Sequence, residues 1–474
     1  MTSRPTTLSL LDSTIQIQYN PTVHYRRTPI GKGALLMNKI ILVRHGQTAW
    51  NVGEAGGERF RGLTDIPLND DGLAQAQALA KRLAHEPITA AYSSPLQRAY
   101  KTAEIIAEPH GLPIHVLEDL TSLDYGDWQE RSVAEVAKTD PELFRLWVEE
   151  PHRFRFPGGE SLDGLRDRAM PALQKALARH TADETILFVT HQVVTRTIIC
   201  AMLGLSNAHY WRIGQDTCCL NAFEYENGVF TTVQINDTCH LDHQPRRGKG
   251  TRLLLVRHGQ TAWNAGAGNG EHFRGRVDLP LNEVGLAQAQ AIADRLTHEP
   301  ITAIYSSPLQ RALQTAQPIA GRLGLPVQPH PGLLDINYGA WQGHTPAEVA
   351  ERWPELHRQW REEPEKLHLP DGESFDIVRE RALAAVQEIC ARHPNETVLL
   401  VAHQVVNKVL VCAMLGLSNA HYWRVHQDNA CLDVFTCQDG VFTAVHVNDT
   451  CHLHRGYNLN RLATPSAPSV QDFS

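Results

Sequence analysis

No apolar run in this chain approaches the roughly 20 residues needed to cross a bilayer, which argues against an α-helical membrane protein. Cysteine is scarce and scattered: 9 in 474 residues, with no Cys-x-x-Cys pair. That argues against a disulfide-built scaffold, and no Cys/His cluster has the usual zinc-ligand spacing. Cys200, Cys219 and Cys239 recur as Cys412, Cys431 and Cys451 beside apolar residues. They read as buried free thiols, and a reducing compartment, the cytoplasm, fits them. Positive charge is not in excess either: the net charge is −8, against a general nucleic-acid binder, although one cationic cleft is compatible with it. The first 36 residues lack the apolar core of a secretory signal. They read as a disordered extension, or as residues upstream of a start at Met37, and residues 457–474 read as a flexible tail.

What the chain does have is a sentence said twice. Arg44-His45-Gly46-Gln47-Thr48-Ala49-Trp50-Asn51 returns as Arg257-His258-Gly259-Gln260-Thr261-Ala262-Trp263-Asn264. Each copy follows a short apolar run, Ile40–Val43 or Leu253–Val256, that reads as a buried strand. The offset stays at 213 residues from His45 to His258 and from Arg98 to Arg311, then becomes 212 at His191 and His403. A period this long is a duplicated domain, not a solenoid repeat. Length alone already favours two domains. The expected units are 37–243 and 251–456, joined by a polar linker, 244–250, rich in helix breakers.

Within a unit, strands and helices alternate. Helices are expected from about Asp70 to His85, from Pro95, and through Leu162, Leu165, Ala169, Leu173 and Leu177. Ala90–Ser93 and Thr185–Val189 read as strands. The pattern predicts two tandem three-layer α/β/α domains with mainly parallel sheets. Ligands of such sheets sit at the carboxyl ends of the strands, where His45 and His191 fall.

Four motifs recur in order: Arg-His-Gly-x-Thr with a following Asn; Ser-Ser-Pro-Leu-Gln-Arg ending at Arg98 and Arg311; a Tyr-Gly-x-Trp-Gln stretch at Tyr125 and Tyr338; and a strand-closing histidine, His191 or His403. Together they resemble the histidine phosphatase superfamily, the phosphoglycerate mutase-like proteins, over nearly all of both units. A neutral imidazole beside arginines is a phosphorus nucleophile, and guanidiniums clamp the transferring phosphoryl group.

The resemblance implies that His258 becomes phosphohistidine, that Arg257, Asn264 and Arg311 hold the phosphate, and that His403 stabilises the transition state. His45, Arg44, Asn51, Arg98 and His191 match them in the first unit. It implies no metal and no cofactor. The family's general acid falls on Asp335, but on Ser122 in the first unit, which puts protonation there in doubt. Asp124 lies two residues further on, about 7 Å along an extended chain. The usual glycine after the second histidine is Gln192 and Gln404, residues that could narrow the pocket or bond substrate. Trp50, Trp128, Trp263 and Trp341 read as packing residues, and the His-rich ends at His240–His243 and His452–His454 as weak metal candidates.

The expected activity is metal-independent hydrolysis of small phosphorylated metabolites, mainly by the second unit. Specificity is expected from the loops Gly53–Arg61 and Gly266–Arg274. The alternatives are a phosphoglycerate mutase, and a first unit that only binds phospho-ligands and regulates the second.

Overall fold

The computed structural model describes residues 37–51, 58–181, 183–241, 249–264 and 271–453. The extension 1–36, the tail 457–474 and most of the linker 244–250 lie outside the described residues. The first unit contains β1 (Asn38–Arg44), α1 (Asp70–Leu83), β2 (Ile88–Ser93), α2 (Gln97–Ala107), β3 (Ile114–Val116), α3 (Val133–Thr139), α4 (Pro141–Glu149), α5 (Leu162–Leu177), β4 (Thr185–Thr190), α6 (Gln192–Leu203), β5 (Leu220–Glu226) and β6 (Val229–Asp237). The second repeats the order as β7 (Thr251–Arg257), α7 (Glu283–Leu296), β8 (Ile301–Ser306), α8 (Gln310–Leu323), β9 (Val327–Pro329), α9 (Pro346–Arg352), α10 (Pro354–Glu362), α11 (Phe375–Arg392), β10 (Thr397–Ala402), α12 (Gln404–Leu415), β11 (Leu432–Gln438) and β12 (Val441–Asp449).

Strands β1 to β4 run parallel to one another, and the β5–β6 hairpin adds antiparallel strands beside β1. Apolar residues alternate across β1: Ile40 and Leu42 face the α5 and α6 layer, Ile41 and Val43 the α1 and α2 layer. The result is the expected three-layer α/β/α arrangement. Two helix limits differ from expectation. Helix α1 stops at Leu83, where Glu86 N closes a turn on the Leu83 carbonyl. Helix α2 starts at Gln97, not Pro95, because Ser94 Oγ accepts from Leu96 N at 3.3 Å and Asp65 accepts from Gln97 N at 2.7 Å.

The units do not keep separate sheets. One 12-stranded sheet runs β3-β2-β4-β1-β5-β6-β12-β11-β7-β10-β8-β9, a palindrome about the antiparallel β6–β12 step. Without that step β6 and β12 would each present an unpaired edge. The core on the α5, α6, α11 and α12 side is one continuous cluster, whereas the α1–α2 and α7–α8 sides have separate cores.

Two further features tie the units. Arg212 donates to the Met414 carbonyl at 3.2 Å, at the end of α12, and Arg424 donates to the Met202 carbonyl at 3.4 Å, at the end of α6. Cys239 and Cys451 form a disulfide with their Cα atoms 6.0 Å apart, which corrects the expectation of free thiols for this pair. The cause is symmetry: equivalent residues just beyond β6 and β12 meet where those strands pair. Cys200, Cys219, Cys412 and Cys431 are buried and unpaired, as expected.

Candidate active site

The nucleophile candidates stand where the central strands end. His45 N bonds to Thr190 O at 2.9 Å and His258 N to Ala402 O at 3.0 Å, so each histidine extends the pairing of β1 with β4 or β7 with β10. The next residue must be small: a Cβ on Gly259 would lie 2.6 Å from the Gly285 carbonyl oxygen at the start of α7. His45 Nδ1 and His258 Nδ1 each lie 2.6 Å from the carbonyl of the following glycine. With the ring proton donated to that carbonyl, Nε2 keeps its lone pair. Burial first, then Arg311, Arg257 and Arg274, holds His258 neutral well below the ordinary histidine range; burial, Arg98, Arg44 and Arg61 do the same to His45.

His191 and His403 are the residues before α6 and α12. Their rings lie 5.3 and 5.2 Å from those of His45 and His258. The start of each helix therefore lies beside His45 or His258, a favourable place for an anion. Ser94 and Ser307, the second serines of Ser-Ser-Pro, hold Nε2 of His191 and His403 at 2.8 and 2.7 Å.

Arg98 and Arg311 enter from the first turns of α2 and α8. Arg98 donates to Thr64 O and Gly62 O at 2.8 Å; Arg311 donates to Val277 O at 2.8 Å and Gly275 O at 2.7 Å. Arg44 and Arg257 are anchored on the Gln215 and Gln427 carbonyls. Burial draws Arg44 and Arg98 down to about 10, which leaves them charged at neutral pH. Asn51 and Asn264 accept from the backbone N and hydroxyl of Thr48 and Thr261. In the second unit the buried Arg257 Nε, His258 Nε2 and Asn264 Nδ2 have no partner among the described residues.

The units part company at Asp335 and Ser122. Asp335 Oδ2 accepts from Arg311 Nη2 at 3.0 Å and lies 3.7 Å from His403 Nδ1, which in turn accepts from Arg311 Nε at 3.2 Å. In the first unit, with Ser122 in that place, Arg98 Nε and His191 Nδ1 are buried and have no partner among the described residues. Asp124 does not fill the gap: its Oδ1 accepts from Gly126 N at 2.9 Å, the turn role that Asn337 plays at Gly339.

Arg61 and Arg274 were not singled out as site residues. Each bears on both histidines of its unit and is held by the carbonyl of Trp50 or Trp263. The available signal was Phe-Arg-Gly, repeated as Phe60–Gly62 and Phe273–Gly275. The preceding loop residues 52–57 and 265–270 lie outside the described residues. Gln192 Nε2 shares the Gln215 carbonyl with Arg44, at 3.2 Å, and so braces the clamp. Trp128 and Trp341 belong to the core, as expected. His240 and His452 bond to the Cys218 and Ala430 carbonyls; His243 and His454 lie outside the described residues. Among the described residues, the one group of metal-ligand side chains is Cys239, Asp449 and Cys451 at the ends of β6 and β12, and the disulfide takes up its two sulfurs.

Each relative compared aligns with about one unit. The chain is 39% identical over 206 residues to "Phosphoserine phosphatase 1" of Hydrogenobacter thermophilus, covering 43% of this chain and 95% of that protein. It is 38% identical over 174 residues to the "Metal-independent phosphoserine phosphatase" of Arabidopsis thaliana, covering 36% and 71%. It is 32% identical over 211 residues to "Probable phosphoglycerate mutase GpmB" of Yersinia pestis, covering 43% and 94%. The family model for the histidine phosphatase superfamily (branch 1) matches residues 40–238 and 253–450, and the chain belongs to that superfamily, twice over.

Proposed function

We propose that the protein is a metal-independent phosphomonoesterase acting on small phosphorylated metabolites through a phosphohistidine, with residues 251–456 its main catalyst and residues 37–243 a second, modified unit. The observation that carries this reading is the chain from Asp335 to Arg311 to His403, with His403 facing the neutral His258. In this reading His258 Nε2 attacks phosphorus while Arg257, Asn264, Arg311 and Arg274 take the charge that spreads over the phosphoryl oxygens. His403 adds a contact to that charge. Asp335 gives the leaving alkoxide its proton and, as carboxylate, takes one from the water that frees His258. His45, His191, Arg44, Asn51 and Arg98 form the corresponding set in the first unit.

Two of the relatives are named for phosphoserine, so a phosphate ester of a small hydroxy or amino acid is the proposed substrate class. The mutase-named relative favours a second reading, in which the same phosphohistidine returns its phosphate to a glycerate. The cytoplasm is the proposed compartment, supported by seven unpaired cysteines among the described residues and opposed by the single Cys239–Cys451 disulfide.

Phosphate release from phosphoserine by the full chain, without added bisphosphoglycerate, tests the reading. Release is expected, and His258→Ala should remove nearly all of it. Isomerisation of phosphoglycerates with no net release would establish the mutase; full turnover by His258→Ala would reject the second unit as catalyst.

A further inference from the structure

The two sites differ at the group that handles protons, and the loop that carries it is the same in both. The Ser122 carbonyl is gripped by Arg168 at 2.9 Å and the Asp335 carbonyl by Arg381 at 3.2 Å. Both side chains are buried. Among the described residues, the nearby carboxylates of the first unit are otherwise placed: Glu160 pairs with Arg168, and Asp216 Oδ2 accepts from Asn236 Nδ2. Asp124 caps its own turn, Asp65 accepts from the backbone N and side-chain amide of Gln97 at 2.7 and 3.1 Å, and Glu58 is exposed. The nucleophile itself is intact, with His45 buried, its Nδ1 tied to Gly46 O, and Arg44, Arg61 and Arg98 around it.

A carboxyl at this place acts twice. It protonates the leaving oxygen as the phosphorus–nitrogen bond forms, then takes a proton from the water that breaks that bond. A serine hydroxyl does neither near neutral pH. The two losses are not equivalent. An alkyl ester cannot load the histidine without the proton, but an acyl phosphate can, because its leaving group departs as a stable carboxylate. Hydrolysis of the phosphohistidine, whatever its donor, still lacks its base.

We propose that the first unit is a phosphohistidine store, loaded at His45 by acyl phosphates and discharged slowly. This rests on the reading of these histidines as nucleophiles. The His45 Nε2–phosphorus bond forms as the bond from phosphorus to the acyl oxygen breaks, and the electron pair leaves on the carboxylate. The Nδ1 proton stays on the ring against Gly46 O, so no proton or electron is exchanged with another group.

The test uses the full chain and acetyl phosphate. The protein is loaded, freed of donor, quenched in alkali at successive times, digested, and the phosphate on the His45 and His258 peptides is measured by mass. The His45 label is expected to outlast the His258 label by about 10²-fold or more. Ser122→Asp should shorten its life, and His45→Asn should remove it. If Ser122→Asp does not fold, the two lifetimes within the natural chain still decide. Transient label on His258 with none on His45, or equal decay at both, overturns the store while leaving the phosphatase reading standing. No label on either histidine while phosphoserine is hydrolysed overturns both.

Discussion

Asp335 accepts from Arg311, which in turn donates to His403, so in the proposed site its replacement reaches further than one proton. Asp335→Ser should leave Arg311 Nε and His403 Nδ1 without a partner, as are Arg98 Nε and His191 Nδ1 among the described residues. Phosphate binding is expected to persist, while turnover of alkyl phosphates falls about 10²-fold or more. An activated aryl phosphate should lose much less, because its leaving group needs little protonation. Steady-state rates on the two esters check this; an unchanged alkyl rate would mean that the acid is another residue. A second carboxyl makes a pH prediction. Asp433, buried on β11, accepts from Asn448 N and Gln427 Nε2 at 2.8 Å through Oδ1, and its Oδ2 has no partner. Its counterpart Asn221 donates to Leu42 O at 3.0 Å and Gln215 Oε1 at 2.9 Å. Burial pushes Asp433 up to about 7, so the folded chain holds a proton that the unfolded chain gives up near the ordinary carboxyl value. Its effect on stability is smallest below the unfolded value, and stability falls as pH rises from about 4 to about 7. Asp433→Asn should flatten that slope and raise the melting temperature most above pH 7; thermal melts from pH 4 to 8 measure it.

At the scale of elements, close approach explains glycines that motif reading only counts. A Cβ on Gly285 would lie 2.0 Å from Gln260 O, in the loop behind His258. Gly285→Ala should destabilise the second unit by on the order of 2 kcal/mol, visible in denaturant unfolding, and lower phosphate affinity with it. The strands, most helices and the histidine–arginine set were readable because apolar periodicity and fixed motif spacing are local signals. Arg274 was passed over because its role depends on a fold-back from a loop that periodicity does not describe. The start of α2 was misplaced because Asp65, 32 residues upstream, sets it. The Cys239–Cys451 pair was unreadable, since only the joining of β6 to β12 brings 212 residues of separation to contact distance.

For the whole molecule, the palindromic sheet predicts what a half does alone. A polypeptide of residues 251–456 would expose the edge of β12 that β6 now covers. It should pair with a second copy of itself through that edge, and sedimentation should find a dimer; a stable, soluble monomer would show that the junction contributes little. EDTA should leave phosphate release by the full chain intact, since the proposed charge stabilisation comes from guanidiniums and imidazole.

The crossed arginine caps carry one more consequence. In a pair of identical chains, a lesion at such a cap strikes both sites alike, and its reach cannot be traced. Here the copies have separate addresses. Arg424 is encoded in the second copy yet steadies the far end of α6, whose near end carries His191 of the first; Arg212 does the reverse for α12 and His403. Damage and symptom are therefore exchanged between the halves, so a map of which copy is mutated is not a map of which site is disturbed.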